Sequence, residues 1–264
     1  MRNYSLISEG IFQGCRDALA WSQSAHTGRA AAFFDVDRTV VAKPAMVAFA
    51  RPLYQAGLIN RRLVARAAWN HLRFRYLPVT PDQMARFRRV GTRIVTGWDA
   101  AEVRAIVTRS LPEVLAPFVY DEAVALMRLH QRVGRPVYLV SAEPREVVEP
   151  LVEFLGLDGA LASEAAIDDE GRYTGETRAW LYGPHKARAM TELAGALGID
   201  LAVSYAYSDA ATDLPMLEAV GNPVCVNPDR ALSGIAAARC WQTLRFRRTR
   251  ASWRARRPSP THTP

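Results

Sequence analysis

Cysteine is scarce in this sequence. Cys15, Cys225 and Cys240 are the only three in 264 residues, scattered and odd in number. They offer no disulfide framework and no metal-type spacing, and they point to a reducing, cytoplasmic setting. Long apolar runs are lacking as well. No stretch approaches the roughly 18 to 20 consecutive apolar residues that a membrane span needs. The opening "MRNYSLISEGIFQGCRDALAW" has no continuous apolar segment of the signal-peptide kind and reads as a short amphipathic helix. A bias toward disorder is also missing. Hydrophobic residues make up 49% and charged residues 23%, which is ordinary globular composition. The length suits one large domain, or a domain with an insertion.

Acidic residues are few in two places. Between Lys43 and Phe118, 13 basic residues meet four acidic ones, and from Arg245 to the end seven arginines meet none. The net charge is +8, so the rest of the chain is acidic. That asymmetry bears on partners rather than on fold.

The segments that are present alternate. "AAAFFDVD" (30–37), "GRPVYLVSAE" (134–143), "LAVSYAYSDAATD" (201–213) and "NPVCVN" (222–227) read as buried strands. Segments 121–134, 145–157 and 186–198 read as helices, two of them stopping near a glycine. "DDEGRYTGET" (168–177) reads as a hairpin or flap. Alternation of this kind predicts an α/β fold, a parallel sheet with helices on both faces. Roughly a hundred residues separate the first strand from the second, far more than a βαβ crossover uses. Residues 44–117 are therefore expected to form an inserted helical cap. The core comprises 30–43 and 118–244, with a helical extension at 1–29 and a basic, disordered tail at 245–264.

Ligands in open α/β sheets sit beyond the carboxyl ends of the strands, and the polar clusters fall there. Asp35 and Asp37 follow the first strand. A carboxylate can attack phosphorus, and a second one nearby can protonate a leaving alkoxide and later activate water. Thr39 is placed to hydrogen-bond that turn. Ser141 ends the second strand, where its hydroxyl can donate to a phosphoryl oxygen. Lys186 stands near a helix start, where the dipole disfavours a cation unless an anion faces it. His185 beside it reads as a turn residue. Asp209 and Asp213 follow the third strand, with Ser208 alongside. Asp35 and Asp209 can supply the one or two carboxylates by which Mg²⁺ is usually held. Asp213 can orient a bound water or Lys186.

The order DVDRT, LVSAE, GPHK, YSDAATDLPML resembles the haloacid dehalogenase superfamily, in its phosphoserine-phosphatase-like branch. The likeness spans about residues 30–232. It implies a Rossmann-like core and Mg²⁺-dependent hydrolysis of a phosphomonoester through an aspartyl-phosphate. It implies Asp35 as nucleophile and metal ligand. Asp37 becomes general acid/base, with its carbonyl on the metal. Ser141 and Lys186 hold the phosphoryl oxygens, Asp209 binds Mg²⁺, and Asp213 and Thr39 support the site. The acid at position 37 favours a phosphatase or a phosphomutase over a dehalogenase. Two residues depart from the pattern. Arg38 stands where glycine is common, either pointing to solvent or meeting the substrate. Glu143 stands where small residues are commoner, and a carboxylate there repels phosphate unless it turns away or pairs with a cation such as Arg145.

The basic cap is expected to draw a small anionic phosphorylated substrate. Phosphoserine, a phosphorylated alcohol, histidinol phosphate and a lipid phosphate all remain open. Trp69, Phe74, Tyr76 and Phe87 among the cap arginines read as a buried aromatic stripe under a solvated basic face or, with Phe246 and Trp253 in the tail, as weak contact with an anionic membrane. No groove-reading motif accompanies them, so specific nucleic-acid binding is not expected. The alternative from another class is a catalytically weak binding protein tethered to membrane or RNA.

Overall fold

A computed structural model describes residues 29–59 and 91–249. Residues 1–28 of the predicted extension at 1–29, the aromatics Trp69, Phe74, Tyr76 and Phe87, and the tail from 250 onward with Trp253 lie outside the described residues.

Seven strands form one sheet: β1 (Ala32–Phe34), β2 (Val137–Pro144), β3 (Gly159–Ile167), β4 (Tyr173–Ala179), β5 (Tyr205–Ser208), β6 (Asn222–Val226) and β7 (Gln242–Leu244). Their spatial order is β4-β3-β2-β1-β5-β6-β7. All neighbours are parallel except the β3–β4 pair. The helices are α1 (Ala45–Ala48), α2 (Ala50–Gln55), α3 (Ala100–Val114), α4 (Asp121–Arg132), α5 (Arg145–Leu155), α6 (Pro184–Leu197), α7 (Leu214–Glu218) and α8 (Arg230–Ala238). Residues 91–95 are also helical.

The central strands are mainly apolar up to their carboxyl ends because both faces are covered. Their side chains alternate between two cores. Phe34, Leu139, Tyr207 and Val224 enter one, with Met127 of α4 and Leu151 of α5. Phe33, Val140, Ala206 and Cys225 enter the other, with Met190 of α6 and Leu217 of α7. A one-residue slip in β1 would exchange the two sets and move Asp35 off its face. The helices α5 and α6 end on Gly156 and Gly198, both with the left-handed φ that glycine adopts without a Cβ penalty.

Two parts differ from the sequence expectation, and a third meets it. The strand β3, "GALASEAAI", was not anticipated, because an alanine-rich stretch without β-branched residues before its end carries little strand signal. The expected hairpin is present, with its turn at Asp168–Arg172 closed by Arg172 N–H donating to Asp168 Oδ1 at 2.7 Å. Finally, the expected disordered tail begins in order. Phe246 is buried, packs against Tyr120, and is held at N–H and carbonyl by Asn227. Burial removes it from any membrane contact.

The described parts of 44–117 are largely helical. The α3 helix, N-capped by Asp99, lays Ile106, Val107 and Leu111 into the same core as Phe34. Its Arg104 pairs with Glu149 and Glu153 of α5. Residues 96–100 also join the β3–β4 hairpin: Gly97 N–H donates to the Tyr173 carbonyl at 2.8 Å and Tyr173 N–H to that of Trp98 at 3.0 Å. Among the described residues no helix is long and apolar enough to cross a membrane.

Candidate active site

The register aligns Phe34 with Leu139 of β2 and Tyr207 of β5. The carboxyl ends of three adjacent strands therefore converge, and Asp35, Ser141 and Asp209 stand there. Asp35 N–H donates to the Tyr207 carbonyl at 2.9 Å, which extends the ladder one residue beyond β1. The chain then turns, with Val40 and Val41 N–H both closing on the Val36 carbonyl. Arg38 takes φ 60° in this turn. Glycine adopts that conformation freely, whereas a residue with a Cβ is strained there. Thr39 is buried, but its hydroxyl makes no hydrogen bond. The expected Thr39 contact is thus absent, because backbone bonds already close the turn.

Lys186 sits in the first turn of α6. Its Nζ lies 2.6 Å from Asp35 Oδ1 and 2.8 Å from Asp213 Oδ2. Ser208 Oγ donates to Asp213 Oδ2 at 2.7 Å. All four side chains are buried. The two carboxylates supply the anions that a lysine at a helix start requires. Burial opposes the Lys186 charge, but Asp35 and Asp213 outweigh it and raise its pKa. His185 is exposed beside it.

Burial pushes Asp35 up to about 7, against the pull of Lys186 and with the push of Asp213 and Asp37. Burial likewise pushes Asp209 up to about 8, with Asp35 adding repulsion and Arg38 partly relieving it. Crowded, desolvated carboxylates of this kind favour a cation. Among the described residues no three His, Cys, Asp or Glu side chains form a metal-binding group. The two carboxylates Asp35 and Asp209, on adjacent strand ends, fit Mg²⁺, which keeps several waters and takes substrate oxygens as further ligands.

Asp37 and Glu143 form a second pair. Asp37 Oδ1 accepts from Ala45 N–H at 2.8 Å, and Glu143 Oε1 accepts from Met46 N–H at 3.1 Å. Both carboxyls thus grip the start of α1. They also hydrogen-bond to one another, and burial with the Glu143 charge holds Asp37 well above the usual carboxylate range. Burial raises Glu143 as well, so the pair favours holding a proton between its two carboxyls. The sequence expectation for Glu143 was repulsion of phosphate unless it turned away or paired with a cation such as Arg145. Arg145 instead pairs with Glu149 and Glu164. Ser141 Oγ accepts from Glu143 N–H at 3.1 Å, which leaves the hydroxyl proton free to donate.

Asp229 was passed over in the sequence as well. Its N–H donates to the Asp209 carbonyl at 2.7 Å, and its carboxylate receives Ala211 and Leu232 N–H. It braces the loop carrying Asp209. The available signal was "NPDRAL", an aspartate directly before a helix.

With metal chelated, the raised values of Asp35 and Asp209 make stability pH-dependent. The folded state holds their protons above the ordinary 3.8, so their contribution is greatest below about pH 4 and is lost as pH rises through 7 to 8. In EDTA at pH 8.5, Asp209→Asn should be more stable than wild type by on the order of 1–3 kcal/mol. The gap should close at pH 4, as read by denaturant melts. Equal gaps at the two pH values would contradict a buried, repelled Asp209.

Comparison with known proteins agrees with this geometry. The family model described as haloacid dehalogenase-like hydrolase matches residues 32–218. A Mycobacterium tuberculosis protein named "Probable phosphatase" is 43% identical over 238 residues, 90% of this chain and 82% of its own length. A phosphoserine phosphatase of the same organism is 35% identical over 234 residues, 87% of this chain and 75% of its own. A Bordetella pertussis protein of unknown function, known from its crystal structure, superposes with a TM-score of 0.71 at 28% identity. That match covers 83% of this chain and 99% of the other.

Proposed function

Because this chain belongs to the haloacid dehalogenase-like hydrolase family and is a phosphatase, we propose that it hydrolyses a small phosphomonoester with Mg²⁺ through an aspartyl-phosphate on Asp35. The observation that carries this reading is the buried Asp35–Lys186–Asp213 chain at the end of β1, beside an Asp37 that burial and Glu143 favour in its protonated form.

An Asp35 oxygen attacks phosphorus as the ester P–O bond breaks. Asp37 gives its proton to the departing alkoxide, and the alcohol leaves. Asp37, now a base, takes a proton from water, whose oxygen attacks the same phosphorus. The bond to Asp35 breaks, and inorganic phosphate leaves with both carboxyls returned to their starting forms. Ser141 and Lys186 donate to the phosphoryl oxygens in both steps. Asp35, Asp209 and the Asp37 carbonyl would hold Mg²⁺, which supplies charge neutralisation for the carboxylates and the phosphoryl group. Asp213 keeps Lys186 aimed.

Phosphate release from a phosphomonoester panel, with Mg²⁺ and with EDTA, tests the reading. Release should require the metal, and Asp209→Asn should raise the Mg²⁺ concentration needed for half-maximal rate by about tenfold or more. An unchanged titration would remove Asp209 as a ligand. A phosphomutase would instead return the phosphoryl group to a second hydroxyl, and sustained phosphate release decides against it.

A further inference from the structure

The acid cluster occupies one end of a cavity of about 940 Å³. Cavities of about 300–1,000 Å³ hold drug-sized ligands. A phosphoryl group with a serine-sized alcohol leaves most of this one unfilled.

Much of the rest of the wall is apolar. Met46 of α1, Ile94, Val103 of α3 and Val147 of α5 line it. So do Trp180 and Tyr182, whose rings stack with centroids 5.5 Å apart on the stretch between β4 and α6. The ionisable side chains along this wall have partners within the protein. The Tyr173 phenol is hydrogen-bonded to Glu146, and both are buried. Glu164 pairs with Arg145 at 3.2 Å, and Ser163 Oγ accepts from Leu181 N–H at 3.1 Å. The cations among the described lining residues are Lys186 and Arg38. Lys186 is committed to Asp35 and Asp213, and Arg38 stands exposed in the turn after β1, on the side of the acid cluster. The described far wall thus presents carbon surface, with carboxylates and no cation.

We infer that the substrate is a phosphomonoester of a bulky, uncharged, apolar alcohol. Its hydrocarbon or aromatic body fills the wall around Val103, Val147 and Trp180 while its phosphoryl group meets Asp35. The inference rests on the phosphatase reading and adds the leaving group to it. Serine would bring both a carboxylate and an ammonium to this carbon-lined wall, and each would lose water there, whereas an apolar body loses nothing by facing partnered groups. Filling this space also expels water from the acid cluster, which strengthens the interactions there.

Initial rates of the full-length protein with Mg²⁺ on ethyl, butyl, hexyl and octyl phosphate, below micelle-forming concentrations, test the inference. Phosphoserine and p-nitrophenyl phosphate complete the set. Each added methylene should raise kcat/KM by up to about fourfold, so octyl phosphate should exceed ethyl phosphate by about a hundredfold or more, with phosphoserine below butyl phosphate. Val103→Trp should cut the octyl-to-ethyl ratio at least tenfold, and Ile94→Trp provides the same reading from a second wall should the first variant fold poorly. A flat series, or phosphoserine outranking octyl phosphate, overturns the inference and leaves the phosphatase reading standing. A rising series whose ratio neither folded variant changes overturns it too, by placing the alcohol elsewhere. No metal-dependent release from any ester, p-nitrophenyl phosphate included, overturns the phosphatase reading and the inference together.

Discussion

Asp35→Asn should lower kcat/KM for phosphate release by about 10⁴–10⁶-fold, the range seen when a nucleophile is removed. An amide oxygen is a poor nucleophile, so no covalent phosphoryl intermediate forms and Asp37 has no departing alkoxide to protonate. The fold should survive. Asparagine fills the same space, and Lys186 retains its 2.8 Å contact with Asp213. Loss of a negative charge also relieves Asp209, which Asp35 repels. In EDTA at pH 8.5 the variant should therefore melt no lower than wild type. Substantial residual turnover would mean that another group attacks phosphorus. Loss of folding would mean that the Asp35–Lys186 contact is structural first.

Lys186→Met should have the largest effect on stability. Lys186 is the cation in direct contact with both Asp35 and Asp213, and all three are buried. Removal of one partner from a buried ion pair costs about 3–5 kcal/mol, because the remaining charge has no compensation. The loss should depend on pH in a definite direction. Without the lysine, the folded pKa of Asp35 rises further above its ordinary 3.8. Stability is then retained below that ordinary value and lost as pH climbs through the raised one. Denaturant melts in EDTA should show a larger deficit at pH 8.5 than at pH 5, and Mg²⁺ should recover part of it. Activity should fall about 10²–10³-fold at neutral pH, the cost of losing one electrostatic contact to the reacting group. A deficit that is the same at both pH values would refute the coupling between Lys186 and the carboxylates.

Much of this site was legible because its chemistry sits at strand ends. An apolar run that stops at a carboxylate is a local signal, and "FFDVD", "YLVSAE" and "YAYSDAATD" each carry it. The strands β1, β2 and β5 were accordingly anticipated, as was the meeting of Asp35, Ser141 and Asp209. The strand β3 was not, because alanine and glycine do not distinguish helix from strand without their neighbours. It forms because β2 offers an open edge on one side and β4 covers the other. The basic run after Leu244 looked solvated from its charge alone, but Asn227 and Tyr120 take up Phe246 from far away in the chain.

Sequence by itself determined the α/β class, the parallel sheet and the residues from which a phosphoryl-transfer site can be built. Each depends on residue type and short spacing, which the chain carries locally. Tertiary structure alone decided what those residues do to one another. It placed Lys186 between two carboxylates 151 and 27 positions away, and it made Glu143 the hydrogen-bonded partner of Asp37. It also set Val103, Val147 and Trp180 around one cavity. Burial and proximity fix pKa values and cavity shape, and both arise only when distant segments pack.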